Sequence, residues 1–119
     1  MDENNVIAAL AALAQSTRLQ TFRLLVAREP EGVAAGELAR VVGVPQNTMS
    51  AHLATLANAG LVRGERISRS IIYRADLDRF RDVTLYLIKD CCGGNPDLCV
   101  PLIAELNPCC PPRPAAIAS

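Results

Sequence analysis

Between Ala35 and Ala59 the sequence reads as two short helices separated by only three residues, Gly43-Val44-Pro45, and that break limits the chain to few folds. Before it, Ala35 to Val42 is a predicted helix with Leu38, Val41 and Val42 inward. Gly43 ends it, because a glycine enters the left-handed region that closes helices at no steric cost. Pro45 stands where the next helix begins. Gln46 to Ala59 then places Met49, Leu53 and Leu56 at i, i+4 and i+7, a single apolar stripe, and Gly60 closes it. Two helices joined by so tight a turn form a helix-turn-helix candidate.

The flanking segments extend the pattern. Apolar positions recur at helical spacing over residues 6–14, and Ser16 is the expected N-cap of a second helix with Leu19, Phe22, Leu25 and Val26 on one face. Glu29-Pro30-Glu31-Gly32 stops that helix. After the helix-turn-helix candidate, Leu61–Arg66 and Ile71–Arg74 are strand-like runs on either side of Ile67-Ser68-Arg69-Ser70, which predicts a hairpin with a polar tip. The expected class is therefore mainly α with a small β-hairpin, a winged helix-turn-helix. From Leu77 to Asp90 the apolar residues Leu77, Phe80, Val83, Thr84, Leu87 and Ile88 form one stripe of a closing helix. A domain this small leaves that stripe little core to cover, so it is expected to make a homodimer interface; packing on the N-terminal helices of the same chain is the alternative. Residues 1–106 are expected to be the folded domain, and 107–119 a flexible tail too proline-rich to pack.

Composition fits one folded domain: of 119 residues 50% are hydrophobic, 20% charged and 3% aromatic, which predicts an aliphatic, mostly helical core. No apolar run approaches the roughly 18 residues a membrane span needs. Asp2 and Glu3 stand before the apolar stretch 6–14, where a signal peptide would carry Lys or Arg. Five cysteines, an odd number in three tight clusters, fit reduced thiols in a cytoplasm better than a disulfide framework. No paired carboxylates, triad or phosphate loop are present, so an enzyme is not expected.

Net charge is formally zero, but from Arg40 to Arg74 five arginines (40, 63, 66, 69 and 74) face one acid, Glu65. A local basic patch of that kind follows a phosphate backbone. In the second helix of the motif, Gln46, Asn47, Ser50 and Ala51 do not face the core and cluster in the first turns, from which helix-turn-helix proteins read bases. Gln and Asn can pair bidentately with adenine in the major groove, and Ser50 can bond a base edge or a phosphate. Arg66 and Arg69, near the hairpin tip, are placed to reach the DNA backbone or minor groove. His52, the single histidine, is open to three roles: a phosphate contact, a satisfied core group or a zinc ligand.

The stretch LAQSTRLQTFRLL, followed by GELARVVGVPQNTMSAHLATLANAGLVRGERISRSIIYRAD, resembles the ArsR/SmtB family of dimeric metal-sensing repressors over roughly residues 6–90. The resemblance implies a homodimer that occupies double-stranded operator DNA and leaves it when an inducer binds. Ala51 departs from the basic residue often found before this histidine. Family members differ in where the inducer sits. One arrangement uses a C-x-C pair in the first helix of the motif, but GELARVVGV has no cysteine; another uses Asp and His on the last helix, but DLDRFRDVTLYLIKD has no histidine.

Cys91, Cys92 and Cys99 remain, and they are similar to the C-terminal cysteine site of arsenite-responsive members. Soft sulfur ligands select thiophilic centres. Trivalent arsenic or antimony takes three sulfurs on one side, and a vicinal pair with one returning thiol suits that pyramid. Gly93-Gly94 lets the chain reverse, and Asn95-Pro96 can start a short turn that presents Cys99. Exchange of three hydroxyls for three thiols leaves a neutral arsenic centre, which suits the carbonyl end of a helix better than the net negative charge of a divalent ion on three thiolates. The expected inducer is arsenic(III) or antimony(III), with no organic cofactor. The alternatives are methylated trivalent arsenic on Cys91 and Cys92 alone, cadmium or lead, a redox switch pairing Cys99 with Cys91 or Cys92, and a metalloid chaperone without a DNA role. Cys109 and Cys110 are either accessory ligands or an idle pair.

Overall fold

The computed structural model describes residues 2–91, the last three by their backbone alone. Its elements run α1 (Glu3–Leu13), α2 (Ser16–Ala27), β1 (Val33–Ala34), α3 (Ala35–Val42), α4 (Gln46–Asn58), β2 (Val62–Ile67), β3 (Ser70–Ala75) and α5 (Leu77–Cys91). The chain divides into two compact units at Thr84/Leu85, and only the closing turns of α5 are described in the second. The expected boundary between residues 106 and 107 lies outside the described residues, as do Cys92, Cys99, Cys109, Cys110 and the Gly93-Gly94 turn.

Local chemistry sets the helix ends. Asp2 caps α1 by accepting the Asn5 N–H at 2.9 Å, which satisfies one of the first-turn donors that no helix can satisfy internally. Ser16 does not cap α2. It is the first helical residue, and Gln15 caps instead, its side-chain oxygen accepting the Arg18 N–H at 3.0 Å. The longer Gln side chain reaches back over the turn and serves as Ser, Thr, Asp or Asn do elsewhere. α3 and α4 fall where the sequence predicts them, and Gly43 between them has φ +86°.

The wing is larger than the predicted hairpin. β2 and β3 pair antiparallel from Val62 opposite Ala75 to Ile67 opposite Ser70, leaving Ser68 and Arg69 as a two-residue tip. A third strand, β1, adds to the outer edge of β3 with Val33 opposite Tyr73. Its two residues carry no alternation that a sequence pattern could register.

Behind α4 lies a closed core. Leu25, Leu38, Met49, Leu53, Leu56 and Leu61 are fully buried. Thr21 is the buried polar side chain among them. Its hydroxyl donates to the Thr17 carbonyl at 2.8 Å and lies 3.8 Å from the Met49 sulfur, so burial leaves it satisfied. One inward assignment is corrected: Val41 of α3 is exposed, and Ala39 takes the inward place. On the apolar face of α2, Phe22 and Leu25 are buried while Leu19 and Val26 are exposed. The stripe on α5 splits: Val83 is buried and Phe80 packs its ring 5.5 Å from that of Phe22, while Leu77, Leu87 and much of Phe80 stay exposed. Among the described residues, packing of Phe80 and Val83 accounts for part of that stripe.

Candidate nucleic-acid interface

Pro45 precedes α4 as its N-cap, in extended backbone, where its fixed φ and lack of an N–H suit a helix start. Three residues turn into the core, and with 3.6 residues per turn the opposite side of the helix carries Asn47, Ser50 and Ala51, all exposed. Thr48 is exposed among them in the first turn and was not singled out by its sequence position. Gln46 and His52 occupy the two flanks. Gln46 is exposed but leans over α3: a Cβ built on Gly36 would lie 2.9 Å from its side-chain nitrogen. Asn47 turns its side-chain oxygen back to accept the Thr48 N–H at 2.9 Å, covering a first-turn donor that Pro45 cannot cap.

His52 is half-buried on the other flank, with its Nδ1 3.4 Å from Nη1 of Arg18. The Arg18 Nε donates to the Ala12 carbonyl at 2.6 Å. Sequence reading missed Arg18 as a partner of the histidine because the two are 34 residues apart.

The basic patch is smaller than the arginine count suggests. Arg74 donates to Glu65 at 2.8 Å and to the Pro30 carbonyl at 3.0 Å, Arg63 faces Asp76 at 3.8 Å, and Arg40 faces Glu37 at 3.6 Å. Of the five arginines from 40 to 74, Arg66 and Arg69 are the two with no carboxylate within 4.0 Å among the described residues. Both are exposed on the wing, Arg66 in β2 and Arg69 at the tip. Unneutralised cations at the end of a projecting hairpin are where a polyanion gains most.

α5 meets the end of α4 directly. Asp76 caps α5 by accepting the Arg79 N–H at 3.1 Å, and its own N–H donates to the Leu61 carbonyl at 2.7 Å. The Arg79 guanidinium lies across Gly60, which has φ +80° and on which a Cβ would sit 2.6 Å from Nε. Of the predicted thiol ligands, only Cys91 falls within the described backbone, as the last residue of α5. Among the described residues no group of three or more His, Cys, Asp or Glu is placed to hold a metal, and no helix is long and apolar enough to cross a membrane.

Known proteins share this arrangement. A helix-turn-helix domain family matches residues 13–65. The transcriptional regulator KmtR of Mycobacterium tuberculosis is 36% identical over 80 residues, which cover 67% of this chain and 59% of that protein, so the chain spans less than two thirds of that relative's length. The transcriptional repressor BigR of Xylella fastidiosa is 33% identical, with a TM-score of 0.55 over 71% of this chain and 86% of that one. A homodimeric winged helix-turn-helix DNA-binding domain from Mycobacterium bovis, a possible ArsR-family transcriptional regulator, superposes with a TM-score of 0.61 at 28% identity, covering 76% of this chain and 82% of that domain.

Proposed function

The chain belongs to the ArsR/SmtB family of winged helix-turn-helix transcriptional regulators, and from that premise we propose that it is a homodimeric repressor whose operator is released by arsenic(III) or antimony(III) bound at Cys91, Cys92 and Cys99. The observation that carries the DNA half of this reading is the pairing of an exposed polar first turn on α4 with a wing whose two free arginines lie at and beside its tip. The helix supplies base-edge contacts through Asn47 and Ser50, with Gln46 and His52 at its flanks. Arg66 and Arg69 supply charge to the phosphates.

The inducer half rests on the donor set. α3 carries no cysteine and α5 no histidine, so the thiols that begin at the end of α5 are the ligands the sequence offers. Three sulfurs match the pyramidal preference of a trivalent metalloid. The described fold also supports a route from thiols to DNA. α5 runs from Leu77 to Cys91, and in its first turn Arg79 lies over Gly60, the residue that closes α4. An inducer that binds the DNA-incompetent arrangement more tightly shifts the population toward it, by about 1.4 kcal/mol for each tenfold loss of operator affinity.

Cys99→Ser tests the ligand set. The variant is expected to hold operator DNA as the parent chain does and to ignore arsenite. If it still responds to methylated trivalent arsenic, which has two exchangeable positions, the vicinal pair Cys91 and Cys92 is the sensor and the three-thiol reading fails. Release by mild oxidant with no release by arsenite assigns the thiols to a redox switch instead.

A further inference from the structure

Arg18 joins three elements. Its backbone N–H is held by Gln15 at the start of α2, its Nε donates to the carbonyl of Ala12 in the last turn of α1, and its Nη1 meets Nδ1 of His52 on α4 at 3.4 Å. The Ala12 carbonyl is one of the terminal acceptors that α1 leaves without an intrahelical donor, and a cation at that end also meets the favourable pole of the helix dipole. Beside Arg18, α1 and α4 face each other across an open groove of about 300 Å³ lined by small side chains, Ala8, Ala11 and Ala12 on one side and Thr55 and Ala59 on the other. Asn58 and Arg18 complete the lining. Arg18 spans the gap.

The chemistry of the contact favours one tautomer of the histidine. A guanidinium has five donors and no acceptor. As a hydrogen bond, the 3.4 Å Arg18 contact requires Nδ1 to offer its lone pair, which selects the tautomer with its hydrogen on Nε2, on the far side of the ring.

We propose that Arg18 is a positioning residue for DNA binding: it pins His52 as an Nε2–H donor toward the nucleic acid and ties the end of α1 to the reading helix. This inference rests on the reading of α4 as the DNA-reading helix. Arg18 does this by two-point donation rather than by charge, since one arm is spent on Ala12 and the other on His52. A lysine keeps the charge but has a single nitrogen and cannot reproduce both directions.

The test is operator affinity measured with the reduced full chain, on a labelled duplex from upstream of its own gene, for Arg18→Lys, His52→Ala and the double variant. Each single change is expected to weaken binding about tenfold, the range of one hydrogen bond involving a charged group. The double variant should bind no worse than the weaker single, because both changes remove the same contact. Independent losses that multiply to about a hundredfold overturn the proposal, as does Arg18→Lys binding like the parent. A second readout needs no DNA: 15N NMR of the parent imidazole is expected to place the hydrogen on Nε2, and a hydrogen on Nδ1 overturns the inference even if the protein binds its operator. If the parent chain fails to bind the duplex, the DNA-reading assignment falls and the proposal falls with it.

Discussion

The side of α2 that faces α4 and the side that faces away are built from the same residue types and end differently. Inward, Phe22 and Leu25 join a core in which Met49, Leu53 and Leu56 are closed off from solvent. Outward, Leu19 at 44% exposure and Val26 border a groove of about 450 Å³ with Leu13, Phe80 and the buried Phe22 as its floor, and Ile7 and Leu10 of α1 stand 54% and 41% exposed. One chain therefore completes the unit that presents α4 and the wing. Among the described residues it leaves apolar side chains of α1, α2 and the start of α5 exposed, the kind of surface on which the proposed homodimer would associate. The difference teaches that the packing behind the reading helix is intramolecular, whereas under the proposed homodimer the spacing of two reading helices would be set by a second copy on the open face.

The contrast breaks most visibly in the core. Leu53→Ala is expected to cost about 2–5 kcal/mol in chemical denaturation, because it empties a fully enclosed site, while Leu19→Ala should cost about 0.5 kcal/mol or less under conditions where the chain is monomeric. Equal losses would erase the distinction. Next comes the junction between α5 and α4: Gly60→Ala forces a Cβ into a φ of +80° and against the Arg79 guanidinium, and should cost about 1–2 kcal/mol. A neutral result would mean that Arg79 swings away freely and that α5 does not press on the end of α4.

On the outer face, Leu10→Asp should leave the circular dichroism of the helices intact yet shift sedimentation to the monomer, weakening operator binding by about tenfold or more through loss of the second half-site. A dimer that survives this change places the interface elsewhere. The smallest effects belong to the wing. Arg69→Ala should lower the slope of log affinity against log salt by about 0.9, as expected when one fewer phosphate is neutralised, whereas Arg63→Ala, which removes an exposed 3.8 Å pair with Asp76, should change stability by about 0.5 kcal/mol or less.

Much of this was legible in the chain. Helical spacing and Gly43 located α3 and α4 to within a residue because local rules govern them. Periodicity identified the apolar faces of α2, α3 and α5 as apolar, but it carries no information about what covers them, which is why Leu19, Val26 and Val41 proved exposed. The capping role of Gln15 was hidden because Ser16 is the better cap by residue type and the backbone path decided otherwise. Three of the five patch arginines are spent on Glu37, Asp76 and Glu65; Glu37 and Asp76 lie just outside the window from Arg40 to Arg74, and a linear charge count does not show which carboxylate an arginine meets. The Arg18–His52 contact is of the same kind: each residue stands in a recognisable motif, and only folding brings them together.

The most direct measurement is fluorescence anisotropy of a labelled duplex from upstream of its own gene, bound by the reduced full chain and titrated first with zinc and then with arsenite. The account predicts retention through the zinc additions and release on arsenite. Tight arsenite binding that leaves the duplex bound, or release by zinc alone, would contradict it.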